Sequence, residues 1–73
     1  MAKPTRVTNR IGDLRREAGD VSQGDLATAI GVTRQTLNAI ERGKYSPSLE
    51  VAFRIAHFFD VGLDDVFAYR DDD

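Results

Sequence analysis

The sequence predicts an all-α domain of five short helices, and three observations carry that prediction. Apolar residues recur three and four positions apart in one segment after another, and no sustained strand-like alternation competes with them. Most of these segments open on Ser, Thr or Asn and close on a glycine, the usual start and stop signals of helices. The chain has 73 residues and no cysteine. A domain this small buries only about 60% of its unfolded surface, so without disulfides it depends on efficient helix packing or a partner subunit.

Taken in order, residues 1–8 (MAKPTRVT) are polar, contain Pro4 and show no period, and read as a flexible arm. Asn9 caps a first helix with Ile11, Leu14 and Ala18 on its apolar stripe and Gly19 at its end. Ser22 caps a second, with Asp25 three residues on in a capping-box pattern, Leu26, Ala27 and Ile30 as the stripe, and Gly31 as the stop. Thr33 caps a third, built on Leu37 and Ile40 and ended by Gly43. Ser46-Pro47 signals the start of a fourth, with Pro47 at or near its first position and a stripe of Leu49, Ala52, Phe53, Ala56 and Phe59. After the Asp60-Val61-Gly62 break, Leu63, Val66 and Phe67 mark a short fifth helix. The end, AYRDDD, is either frayed or a short edge strand. The domain therefore spans 9–68, with 69–73 as an acidic tail or dimer strand.

Composition narrows the function classes. No apolar run approaches the roughly 18 residues of a membrane span, and the first residues lack an apolar stretch of signal-peptide type, so a cytoplasmic protein with no membrane partner is expected. The net charge of −2 is unevenly spread: residues 1–54 carry +3 and residues 55–73 carry −5. Segregation of this kind fits a basic working surface and an acidic tail. His57 is the only histidine and has no second ligand at metal spacing, so no metal and no cofactor is expected. No hydroxyl or carboxylate has a base placed to activate it, so no enzyme and no small-molecule ligand is read.

The second and third helices form a unit. With Gln23 as its first position, small Ala27 falls where the helices approach closely and Gly31 falls at the turn. Leu26, Ile30, Val32, Leu37 and Ile40 fall where both helices bury against the domain. These features in register over about 20 residues define a helix-turn-helix. Placed at 100° per residue, Leu37 and Ile40 mark the buried side of the third helix. Gln35, Asn38, Ala39 and Arg42 then lie on or near the opposite side, with Arg34 at the exposed N-terminal edge. In this docking mode the N-terminal part of the second helix of the unit meets base edges in the major groove. Arg34 suits guanine, Gln35 and Asn38 suit adenine, Thr36 suits a thymine methyl or a phosphate, and Ala39 lets the helix sit deep. Gln23, at a helix start with free backbone N–H groups, suits a phosphate, although an ordinary exposed glutamine would look the same. Thr33, Arg42, Lys44, Tyr45 and Ser46 flank the reading helix and are assigned to backbone phosphates. For Tyr45, packing of the ring over the loop is the alternative.

These motifs resemble the phage-repressor-like helix-turn-helix family, also called the xenobiotic-response-element group, and in particular its small single-domain members. The resemblance covers about Asn9 to Phe67 and is most specific in SQ at 22–23, GVTRQT at 31–36 and IERGKYSPSLE at 40–50. It implies a five-helix domain that binds double-stranded operator DNA, usually as a two-fold dimer, with Gln23 on the DNA backbone and an internal salt bridge between Arg15 and Glu41. Two positions depart from the pattern: Asp20 is an extra residue in the loop before Ser22, and Gly24 stands where the family usually places a charged residue.

Five aromatic residues lie near the C-terminus. Phe53, Phe59 and Phe67 are expected to fill the core. Phe58 and Tyr69, with Phe67, are expected at a homodimer interface, Ala68-Tyr69-Arg70 pairing as a strand with its two-fold mate. A dimer sets two reading helices about 34 Å apart and demands a near-palindromic site. The resulting expectation is a dimeric sequence-specific transcriptional regulator. Two alternatives stay open: a DNA-binding antitoxin or restriction-system controller in which a protein partner matters as much as DNA, and a protein-interaction module that has lost DNA binding.

Overall fold

The computed structural model describes residues 5–71. The elements run β1 (Val7–Asn9), α1 (Ile11–Glu17), α2 (Gln23–Ile30), α3 (Arg34–Glu41), α4 (Leu49–Phe59), α5 (Leu63–Val66) and β2 (Phe67–Tyr69). The five helices are those expected. Their starts follow from side-chain caps that satisfy otherwise orphaned backbone N–H groups. Ser22 Oγ accepts from Asp25 N at 3.0 Å, Thr33 Oγ1 from Thr36 N at 3.0 Å, and Ser48 Oγ from Val51 N at 3.2 Å. The cap of α4 is therefore Ser48, and Pro47 lies just outside the helix rather than at its first position. Asn9 serves α1 from one position further out: Arg10 is the capping residue, while Asn9 Oδ1 accepts from Ile11 N at 3.0 Å.

The ends of α2 and α3 are closed by left-handed glycines, Gly31 at φ 79° and Gly43 at φ 72°. After each, the next N–H reaches back five residues, Val32 N to Ala27 O and Lys44 N to Ala39 O, both at 3.0 Å. This closure tightens the last turn and favours glycine, which takes the left-handed conformation without a Cβ penalty. α4 ends the same way on Asp60, at φ 58°, the first residue of the expected Asp60-Val61-Gly62 break.

The core is formed by Ile11, Leu14, Leu26, Ala27, Ile30, Leu37, Ile40, Ile55, Ala56 and Val66, with Val21, Val32, Val51, Phe59, Val61, Leu63 and Phe67 packed around it. Three expected core residues are exposed instead. Phe53 is 54% and Leu49 68% exposed, and Ala18 lies beyond the end of α1. The buried stripe of α4 is Ala52, Ile55, Ala56 and Phe59. Phe53 stands about 160° round the helix from Ile55 at 100° per residue, so its ring cannot join that stripe.

The sheet was not expected in this form. β1 pairs antiparallel with β2, Val7 opposite Tyr69, Thr8 opposite Ala68 and Asn9 opposite Phe67. Backbone bonds continue on both sides, Arg70 N to Arg6 O at 2.8 Å and Arg10 N to Val66 O at 2.9 Å. Val7 and Thr8 thus belong to the folded domain rather than to a flexible arm over 1–8; residues 1–4 of that arm lie outside the described residues. Tyr69 likewise has a strand partner, Val7, within its own chain. Asp71 is exposed, and Asp72 and Asp73 lie outside the described residues. Three residues show no period, so the strand is legible only through its distant partner.

Gly24 is a glycine without a conformational reason. A Cβ there would meet Ser22 Oγ at 3.9 Å, an ordinary contact, while at Gly31 it would approach Arg54 Nη1 to 3.0 Å at positive φ. Gly24→Ala is expected to raise stability by about 0.5 kcal/mol, and Gly31→Ala to lower it by about 1–2 kcal/mol. Thermal melts of the two variants should therefore move in opposite directions, by a few degrees and by about 4–15 °C.

Candidate nucleic-acid interface

α3 buries one side and bares the other. Leu37 and Ile40 are fully or almost fully buried, Thr36, Asn38, Ala39 and Glu41 are half-buried, and Arg34 and Gln35 are exposed. α2 crosses it through the Gly31 turn so that Gln23, the first residue of α2, stands beside the second turn of α3. There Gln23 Nε2 donates to Asn38 Oδ1 at 3.2 Å. Gln23, Arg34, Gln35 and Asn38 together line one open cleft between the two helix starts. The N–H groups of Gln23 and Gly24 precede the first intrahelical bond of α2, Leu26 N to Ser22 O, and so remain available to an acceptor from outside. Asp25 N, by contrast, is taken by Ser22.

Four sequence-selected residues thus converge in one cleft. Thr36 does not join them: it stands on the other flank of α3, where Thr33 Oγ1 donates to Thr36 Oγ1 at 2.9 Å. Ala39, half-buried, follows Asn38 on α3 and does not line the cleft. Arg42, Lys44, Tyr45 and Ser46 are all exposed in the segment after α3, Tyr45 at 44%.

The C-terminal end of α3 is fastened from behind. Arg15 Nε donates to Glu41 Oε2 at 2.9 Å and Arg15 Nη2 to Glu41 Oε1 at 3.0 Å, a bidentate pair. The third guanidinium nitrogen, Nη1, donates to Val21 O at 3.0 Å. The pair is shielded, with side-chain exposures of 21% and 11%. Asn9 adds a second fastening: its Nδ2 donates to Glu41 O at 3.4 Å and to Ile40 O at 3.0 Å, the latter also accepting from Gly43 N at 3.0 Å, so that Asn9 holds the last carbonyls of the helix. Two contributions escaped the sequence reading, this bond of Asn9 and the bond of Arg54 Nη1 to Ile30 O at 3.2 Å, which closes the C-terminus of α2. Both are long-range bonds to backbone carbonyls and leave no local sequence signal; only the Glu50–Arg54 spacing of four, which pairs them at 2.9 Å, was readable.

Away from this face, Phe58 is 40% and Tyr69 68% exposed, while Phe67 packs against the core. Phe58 stacks edge-on against Phe59 at 4.9 Å. Two shallow apolar depressions share Leu63: one includes Phe53 and Phe58, the other Val7, Phe67 and Tyr69. His57 is exposed on α4, and among the described residues no group of three or more His, Cys, Asp or Glu is placed to hold a metal. No helix among them is long and apolar enough to cross a membrane.

The helix-turn-helix family model matches residues 14–66. The chain belongs to this family, in its phage-repressor-like group. It is 53% identical over 58 residues to an uncharacterized HTH-type transcriptional regulator of Methanocaldococcus jannaschii, a match covering 80% of this chain and 88% of that one. It is 44% identical over 61 residues to an uncharacterized HTH-type transcriptional regulator of Bacillus subtilis, covering 84% and 91%. It is 39% identical over 56 residues to the cryptic phage CTXphi transcriptional repressor RstR of Vibrio cholerae, covering 77% and 50%. A crystal structure of a Bacteroides fragilis protein proposed to bind DNA superposes with a TM-score of 0.75 at 22% identity, covering 85% and 98%, a likeness of fold.

Removing one member of the Arg15–Glu41 pair strands the other beside the core. Arg15→Ala or Glu41→Ala alone is expected to cost about 2 kcal/mol, and the double substitution clearly less than the sum. Chemical denaturation of the four proteins in one cycle measures the coupling; additive losses would show that the pair stabilises nothing.

Proposed function

We propose that the chain is a sequence-specific double-stranded DNA-binding transcriptional regulator that works as a homodimer on a near-palindromic operator. The observation that carries this reading is the cleft of Gln23, Arg34, Gln35 and Asn38 on the bare side of a rigidly held α3. These side chains are polar or basic, they match the donor and acceptor pattern of base edges, and they flank N–H groups suited to a phosphate. The names of its relatives support the same activity.

In this mode Arg34 donates to guanine O6 and N7, Gln35 bridges adenine N6 and N7, and Ala39 permits close approach. Thr36, on the flank of the helix, reaches a thymine methyl or a phosphate. Gln23, Thr33, Arg42, Lys44, Tyr45 and Ser46 hold phosphates and set the register without reading sequence. The activity is binding rather than turnover, and it is exercised in the cytoplasm. Regulation follows from occupancy, which blocks or recruits polymerase.

One copy, 35 × 24 × 21 Å in extent, presents one reading helix. A second copy joined through Phe58, Phe67 and Tyr69, around Leu63, supplies the second helix about one turn of DNA away. Exposed aromatics of this kind are the usual centre of a subunit contact.

Selection from random duplex DNA at two salt concentrations should enrich an inverted repeat with half-sites about one helical turn apart. A folded sample that enriches nothing at either salt would overturn the reading. On the selected site, Arg34→Ala should weaken binding by about 10- to 100-fold and relax one base pair of each half-site. Lys44→Ala should weaken all duplexes alike and lower the log-affinity versus log-salt slope by about 0.9. Sedimentation of a Phe58→Asp, Tyr69→Asp double variant should give a folded monomer where the parent chain is a dimer.

A further inference from the structure

We propose that Arg70, just past β2, is a DNA-binding residue: with Arg42 it holds a backbone phosphate at the wall of the major groove. The inference rests on the DNA-binding reading above and extends its contact surface from the helix-turn-helix to the β-ribbon.

Arg70 is the only lysine or arginine in residues 55–73, a stretch that carries six aspartates. Its surroundings are decided by the fold rather than by its neighbours in the chain. Arg70 N donates to Arg6 O at 2.8 Å, which continues the β1–β2 ladder and fixes where its side chain starts. Side chains alternate across a strand, so Arg70 leaves the ribbon on the side away from Phe67 and Tyr69. There it shares one cleft with Thr5, Thr8, Arg42 and Gly43. A residue from the far end of the chain is thereby brought to the end of α3.

The chemistry of that cleft suits an anion. Glu41 is the one carboxylate that lines it, and both of its oxygens accept from Arg15. Arg42 and Arg70 add two guanidiniums, whose planar forks match the oxygens of a phosphate. Thr5 Oγ1 accepts from Val7 N at 3.1 Å and keeps its own proton for an acceptor.

The place of the cleft on the duplex follows from length. α3 has 8 residues, which makes it about 12 Å long. The major groove is about 12 Å wide. With the first turn of α3 on base edges, its other end stands at the groove wall, where the phosphates lie. At 100° per residue Arg42 falls within about 40° of both Gln35 and Asn38. It therefore carries their side of α3 to that wall, and Arg70 stands beside it from a second element. A phosphate gripped by both ties the ribbon as well as the reading helix to the DNA.

The test measures affinity of the full chain, Arg70→Ala, Arg70→Lys and Arg42→Ala for the selected operator over a range of salt concentrations. The same proteins are then tried on operators in which one phosphate at a time is replaced by a neutral methylphosphonate. Arg70→Ala should weaken binding by about three- to tenfold and lower the log-affinity versus log-salt slope by about 0.9 for each copy bound. Arg70→Lys should keep most of that slope. In each half-site one phosphate should matter to the parent chain and to Arg70→Lys but not to Arg70→Ala, and Arg42→Ala should be less sensitive to the same phosphate. This map separates a direct contact from altered folding or dimerisation, which would lower affinity for every operator alike. An Arg70→Ala variant with the affinity and slope of the parent, or a weaker one that still senses every phosphate the parent senses, would overturn the inference while leaving DNA binding standing. A parent chain with no affinity for any duplex would overturn the DNA-binding reading and this inference with it.

Discussion

A helix that enters a groove must leave one side bare, so all of its fixation comes from the other. In this protein that fixation depends on the bidentate contact between Arg15 and Glu41. It joins α1 to the end of α3 and, through Arg15 Nη1 on Val21 O, also anchors the loop that leads into α2. The left-handed pair Gly19 and Asp20 lies in that loop, and both residues are exposed. A guanidinium suits this place better than an ammonium would, since three separate nitrogens engage two different elements in one plane.

The polar groups of the outward face are not left to find their partners on binding. The Thr33 and Thr36 hydroxyls are joined, the Gln23 and Asn38 amides are joined, and the helix starts are capped. Each such bond removes rotamer freedom before a ligand arrives, which lessens the ordering cost of association. The overall charge of −2 is compatible with this arrangement because charge follows position in the chain: α3 and the segment after it bear Arg34, Arg42 and Lys44, while Asp64, Asp65 and Asp71 belong to α5 and the segment after β2.

Much of this was legible in the sequence, and what was legible has a common character. Caps, turn glycines and the Leu26–Ile40 apolar set are local signals, each with a stereochemical cause that acts within a few residues. The same holds for the cleft residues, whose spacing on one helix dictates that Arg34, Gln35 and Asn38 share a side. The misread positions depend on distance in the chain. Phe53 carries a core-like side chain, yet the neighbouring stripe on Ile55 was already sufficient to bury α4, and a ring next to it in sequence turns away from it in space. Val7 and Thr8 are strand residues only because Tyr69 and Ala68 arrive beside them. Asn9 was read as a helix cap from its local role; its grip on the end of α3 spans 31 residues and has no local mark.

The pairing of β1 with β2 also has a bearing on how the protein is made. Thr8 and Ala68 stand 60 positions apart yet lie opposite one another. During synthesis β1 leaves the ribosome first and has nothing to pair with until β2 follows. Over that interval the helices can form from local contacts, but the strand that carries Asn9 lacks its neighbour, and closing so long a loop is favourable only once the helical core holds its two ends near each other. The grip of Asn9 on α3 is therefore expected among the last contacts to become secure, so that a nascent or truncated chain lacking β2 would hold its helix-turn-helix less firmly than the finished one.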